Sequence, residues 1–77
     1  MLLQELASLQ TAMQHSASSL PQEEAADAVD EAQAALRDGN GPLALQRLKK
    51  AGEWAFNVAS SIGINIASAI IREALKQ

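Results

Sequence analysis

Residues 54–71 read WAFNVASSIGINIASAII and contain no charged side chain. Small residues recur in this stretch every four positions, at Ala55, Ala59, Gly63 and Ala67. A row of larger apolar side chains runs beside them at Val58, Ile62, Ile66 and Ile70. Spacing by four places each row on one face of a helix, and small side chains allow a neighbouring helix to approach closely. The pattern predicts a helix over residues 54–76 that is apolar around most of its circumference.

Such a helix must be buried on most of its sides, and a chain of 77 residues offers little material to cover it. Burial of one medium-sized apolar side chain contributes roughly 1.5–3 kcal/mol, so exposed isoleucines favour association. We therefore expect two or more copies to pack their last helices together. The predicted interface residues are Trp54, Ala55, Phe56, Val58, Ala59, Ile62, Gly63, Ile66, Ala67, Ile70 and Ile71.

Two other functions remain open for the same stretch. In one, the chain is an acidic adaptor or inhibitor that docks this helix onto a different protein. Trp54 and Phe56, the two aromatic residues, are either anchors of the chain's own core or a hot spot of such an interface. Membrane insertion of residues 54–71 is disfavoured, because a span needs about 20 apolar residues and this stretch includes two asparagines and three serines.

The preceding sequence predicts two further helices. Apolar residues in the first follow steps of four and three and indicate a helix over 2–18, with a seam at Leu2, Leu6, Leu9 and Met13. Ser19 and Pro21 are typical of a helix start. They predict a second helix over 20–38, with a seam at Ala25, Val29, Ala32 and Leu36.

Residues 38–42, DGNGP, predict a tight turn between antiparallel helices. A third helical segment is expected over 42–51. It is either continuous with 54–76 or separated from it near Gly52. A glycine in a helix interior is about 1 kcal/mol less favourable than an alanine, which makes Gly52 the candidate position for a break. The fold class is an all-α, three- or four-helix antiparallel bundle within one domain of residues 1–77. We expect oligomerisation through the C-terminal helix to complete the bundle.

Composition excludes several chemistries. The chain has no cysteine and a single histidine, so disulfides and multi-histidine metal sites are excluded. We expect His15 to be a surface residue and the pairs Glu23–Glu24 and Asp30–Glu31 to be solvated, since adjacent residues diverge on a helix. His15 is the single histidine, and the sequence gives no pattern that pairs it with a serine nucleophile and an orienting acid. We predict no catalytic residue, no cofactor and no metal.

Charge is divided between the two parts of the chain. Residues 1–40 carry seven acids and one base (−6), whereas residues 41–77 carry two acids and five bases (+3), which sum to the net −3. This division predicts an acidic helix beside a basic one, within a chain or across a dimer. Three bases at 47–50 are too few for a nucleic-acid surface. The first ten residues lack the pattern of a signal peptide, so we expect a cytoplasmic protein.

Residues 20–76 resemble a helical segment found at the C-terminal end of assorted bacterial multidomain proteins, many of them suspected effector or defence proteins. The resemblance comprises the acidic helix after Leu20–Pro21, the Gly/Pro turn, the basic helix and the run AGEWAFNVASSIGINIASAII. It implies a bacterial association module that brings attached domains together, and it implies no functional residue.

Overall fold

The computed structural model describes residues 2–76, which form four helices and no strand. They are α1 (Leu2–Ser16), α2 (Leu20–Arg37), α3 (Gly41–Ile62) and α4 (Asn65–Leu75). The all-α bundle is therefore confirmed. α2 packs against both α1 and α3, α3 packs against α4, and α1 also contacts α3 and α4.

The two N-terminal helices follow the predicted seams. Leu6, Leu9 and Met13 of α1 have no exposed surface, and neither has Val29 of α2. α1 ends at Ser16, two residues before the predicted end, in the serine-rich segment where helix propensity is low. The Oγ of Ser19 accepts a hydrogen bond from the Gln22 N–H at 3.4 Å, which confirms the predicted cap of α2.

The turn between α2 and α3 occupies residues 38–40. Gly39 adopts φ 75°, and the Asn40 N–H donates to the Ala35 carbonyl at 2.8 Å, the pattern of a glycine C-terminal cap. The side-chain oxygen of Asn40 then accepts the Leu43 N–H at 3.1 Å, so one residue both completes the end of α2 and caps α3. α3 begins at Gly41, one residue before the predicted start.

A bend at Gly52 divides α3 into segments 41–51 and 53–62. Gly52 has φ 78° and ψ −169°, a conformation essentially restricted to glycine. Of the two alternatives that the sequence left open here, the structure has the break. The second segment therefore leaves the line of the first and turns towards α4.

The helix predicted over 54–76 is wrong, because it is divided at Gly63. Gly63 adopts φ 76°, its N–H donates to the Ser60 carbonyl, and the next N–H, of Ile64, donates to the Ala59 carbonyl at 3.2 Å. This is the same glycine cap that ends α2. Phe56 of α3 and Arg72 and Leu75 of α4 border one groove, which places the end of α4 beside the early part of segment 53–62. We call residues 53–75 the C-terminal hairpin.

Candidate interaction surface

The small residues of the C-terminal hairpin lie inside the protein. Ala55, Ala59 and Ala67 have no exposed surface, and Ile71 is equally buried. Once the chain reverses at Gly63, these side chains join the core of their own chain. The prediction that they meet a second copy is therefore wrong for these four residues. Gly63 is exposed, but it closes the turn and belongs to no continuous helical ridge.

The larger residues of the neighbouring row remain at the surface. Ile62 closes α3 and is 44% exposed, while Ile66 lies in the first turn of α4 and is 48% exposed. We call this pair the corner. Val58 and Ile70 are half-buried against the core. The polar neighbours of the corner are uncharged, because no charged residue occurs between positions 54 and 71. The corner is therefore an apolar surface without a charged border along the chain.

An apolar groove of about 410 Å³ lies where all four helices contribute side chains. Its floor consists of the buried Ala44 and Leu48. Its rim carries Leu2 of α1, Leu36 of α2, Pro42 and Leu45 of α3, and Ile70 of α4. Ile70 follows Ile66 by one helical turn on the same face of α4. The corner and the groove are consequently parts of one apolar surface.

A carboxylate from the other end of the chain fixes the start of α4. Oε1 of Glu5 accepts a hydrogen bond from the Ala67 N–H at 2.9 Å. The residue that precedes α4, Ile64, has no side chain able to cap it. Glu5 therefore supplies an acceptor and a negative charge to the positive end of α4. This contact joins the start of α4 to α1, while the main packing of α4 is against α3.

The two aromatic residues are half-buried and pack against the core. Phe56 also lines a second groove of about 540 Å³, between segment 53–62 and the end of α4. Glu53, Arg72 and Lys76 border that groove, so it is more polar than the groove at Leu45. Trp54 and Phe56 contact the core and are also partly exposed. This placement is compatible with both predicted roles, core anchor and interface hot spot.

The polar side chains selected from the sequence lie on the outer surface. His15 is exposed at the end of α1, and the pairs Glu23–Glu24 and Asp30–Glu31 are exposed on α2. Within residues 2–76, no group of three histidine, aspartate or glutamate side chains is close enough to hold a metal ion. α2 and α3 lie side by side as the charges predicted, with Arg47 and Glu31 4.0 Å apart.

Sequence reasoning missed one buried polar contact. Gln33 of α2 is 2% exposed, and its side-chain amide donates to Oε1 of Gln10 of α1 at 2.7 Å. The bond satisfies a buried group that would otherwise be costly, and so it specifies how α1 and α2 align. Gln33 follows Val29 of the seam by four residues, and this spacing indicates that it faces inward.

Among the helices of residues 2–76, none has the length and apolar character to span a membrane. Comparison of the chain with protein families, curated proteins and solved structures finds no match.

Proposed function

We propose that this protein self-associates through the outer face of its C-terminal hairpin and serves as a protein-interaction module. The observation that carries the proposal is the corner, where Ile62 and Ile66 are about half exposed on either side of one turn. Removal of apolar surface from water contributes roughly 25 cal/mol per Å², from which the costs of association are subtracted. Isolated exposed apolar residues are ordinary, but two isoleucines adjoining an apolar groove form a contiguous patch, which is typical of interaction sites.

The size of the chain supports the same proposal. A domain of this length has a marginal core, and no cysteine is present to add a disulfide. Much of the core is alanine, including Ala32, Ala55, Ala59 and Ala67, each of which contributes little buried area. Association of copies would add the buried apolar area that a small alanine-rich core lacks.

Light scattering on a size-exclusion column, across a tenfold dilution, tests the proposal. We expect a discrete multiple of 8.1 kDa that shifts towards the monomer when Ile62 and Ile66 are both replaced by glutamine. Helix content should be unchanged, because both side chains are at the surface and glutamine is a good helix residue.

Leu20→Gln is the matched control. Leu20 is 66% exposed, more than either isoleucine, and the groove described above does not include it. If the corner acts specifically, the control keeps the wild-type mass. A wild-type mass of 8.1 kDa at every concentration would overturn self-association and would favour the alternative, an adaptor or inhibitor that uses this face for a different protein.

A further inference from the structure

We infer that the occupant of the groove at Leu45 is the Ile62–Ile66 corner of a second copy, inserted reciprocally about a twofold axis. The inference rests on the proposed function and specifies the contact that produces it. It assigns each copy two roles in one interface, because the copy that inserts its corner also receives its partner's corner. Three properties of the surface support this occupant.

The first property is the absence of polar anchors in the groove. Binding sites for small molecules combine an apolar lining with a few polar groups that orient the ligand. Every residue lining this groove is apolar or glycine, and its rim residues Leu2, Leu36, Leu45 and Ile70 are half-buried aliphatic side chains. Such a lining favours aliphatic protein side chains over a small molecule with polar groups.

The second property is the match in charge between groove and corner. A charge carried into the groove would lose its hydration and meet no counter-charge, which is costly. The occupant must therefore be uncharged where it enters. The corner lies within 18 consecutive uncharged residues, positions 54–71, and the residues directly next to Ile62 and Ile66 are serine, glycine, asparagine and alanine. The one carboxylate described beside the corner, that of Glu5, already accepts the Ala67 N–H at the positive end of α4, which compensates its charge.

The third property is the area that a stable dimer needs. A typical interface buries about 800 Å² per partner, which is roughly a sixth of the 4538 Å² surface of this chain. Two half-exposed isoleucines alone are far from that area. Reciprocal insertion buries a corner and a groove on each copy. Ile70 joins the two features on one face of α4, so both fall within a single contact region.

Twofold symmetry follows from this arrangement. When one surface carries both an apolar protrusion and an adjacent apolar groove, a twofold rotation brings each protrusion to the other copy's groove and closes the assembly as a dimer. Without closure, each corner would enter the groove of a further copy, and an open chain would grow. The twofold contact therefore predicts a mass of two chains that does not rise further with concentration.

Single-cysteine variants test the contact in a chain that has no cysteine of its own. Asn65→Cys places a thiol beside Ile66, and Gln46→Cys places one beside Leu45. Both positions are exposed and lie outside the groove lining, so the corner and the groove remain intact. The two variants, carrying tags of different mass, are mixed, allowed to exchange and oxidised. We expect the yield of the disulfide between Asn65→Cys and Gln46→Cys chains to be about fivefold or more above a control yield. The control is the disulfide between Asn65→Cys and Gln14→Cys chains.

Gln14 is an exposed glutamine near the end of α1, and the groove lining does not include it, so it is a matched control. A product dominated by two Asn65→Cys chains would show corner-to-corner contact and overturn the inference. A yield of mixed disulfide no higher than that of the control, while light scattering still shows association, would also overturn the inference. In that case the proposed function stands. A mass that keeps rising with concentration would overturn the twofold arrangement. A monomer throughout would instead refute the proposed function itself.

Pro42→Glu provides a second measurement that does not depend on disulfides. Pro42 is an exposed rim residue in the first turn of α3, where a glutamate favours the helix start, so the fold should persist. Twofold symmetry places the new charge at both contacts. We expect the dimer Kd to rise at least tenfold, with unchanged helix content by circular dichroism. An unchanged Kd would overturn the groove as the receiving site.

Discussion

α1 and the C-terminal hairpin solve the same packing problem in opposite ways. In α1 the large residues Leu6, Leu9 and Met13 face inward, and the exposed positions are mostly polar. In the hairpin Ala55, Ala59 and Ala67 face inward, while Ile62 and Ile66 face outward. Larger inward side chains bury more area, whereas small ones bring helices closer and leave the large ones at the surface. The first arrangement suits internal stability, and the second suits contact with another molecule.

Leu9→Ala and Ile62→Ala should give the largest contrast between the two regions. Leu9 has no exposed surface, so its truncation should lower the free energy of unfolding by about 2–5 kcal/mol, through lost burial and a residual cavity. Ile62 is 44% exposed, and its truncation should cost much less, about 0.5 kcal/mol. Urea unfolding at a concentration low enough to keep the chains apart measures both. Equal losses would show that the corner contributes to the core as much as α1 does.

Ala59→Leu tests whether the small residues of the hairpin pack inside their own chain. Ala59 has no exposed surface, so the longer side chain should overpack the contact with the rest of the core and cost about 1–3 kcal/mol. Ala69→Leu, on the exposed side of α4, is the control and should change stability by no more than about 0.5 kcal/mol. Thermal unfolding of both variants measures the difference.

If Ala59→Leu left stability unchanged and abolished association, the small row would lie between chains after all. That result would restore the intermolecular ridge predicted from the spacing of Ala55, Ala59, Gly63 and Ala67. The same samples, analysed by light scattering, therefore decide between an internal and an external role for Ala59.

Glu5→Gln should lower the free energy of unfolding by about 0.5–1 kcal/mol, less than Leu9→Ala and, at most, as much as Ala59→Leu. Glutamine keeps an acceptor oxygen but loses the negative charge that favours the start of α4. Amide hydrogen exchange should report the change at Ala67, whose N–H donates to Glu5. Asp30→Asn, at an exposed acid in the middle of α2, is the control and should leave exchange at Ala67 unchanged. Full protection of the Ala67 amide in Glu5→Gln would show that the negative charge of Glu5 does not stabilise the start of α4.

Several features that depend on neighbouring residues were predictable from the sequence. The α1 seam, the Ser19 cap and the turn at 38–40 follow from local spacing and from turn chemistry, whereas the bend at Gly52 was one of two alternatives. Gly63 shows where that reasoning fails. A glycine at a spacing of four fits a small-residue ridge, and a glycine followed by an apolar residue also fits a helix cap. The structure has the cap, with the same pattern of backbone hydrogen bonds as at Gly39.

The groove and the α4 cap were beyond the reach of sequence patterns. The groove gathers residues from all four helices, so no window of the sequence contains it. The partners Glu5 and Ala67 are 62 residues apart. The uncharged stretch did identify the residues that remain exposed, Ile62 and Ile66, but the fold was needed to separate them from the buried alanines beside them.

The contact between Glu5 and Ala67 also has a consequence for the order in which the chain folds. α4 has 11 residues, shorter than the length of about 12–15 at which an isolated helix is even marginally stable in water. It gains its cap only after α1 has reached its final place, and closing a loop of this length delays that moment. Helix formation at residues 65–75 therefore depends on packing against α3 and on the cap supplied by α1. The surface that Ile66 and Ile70 present for association is complete only when both contacts are made.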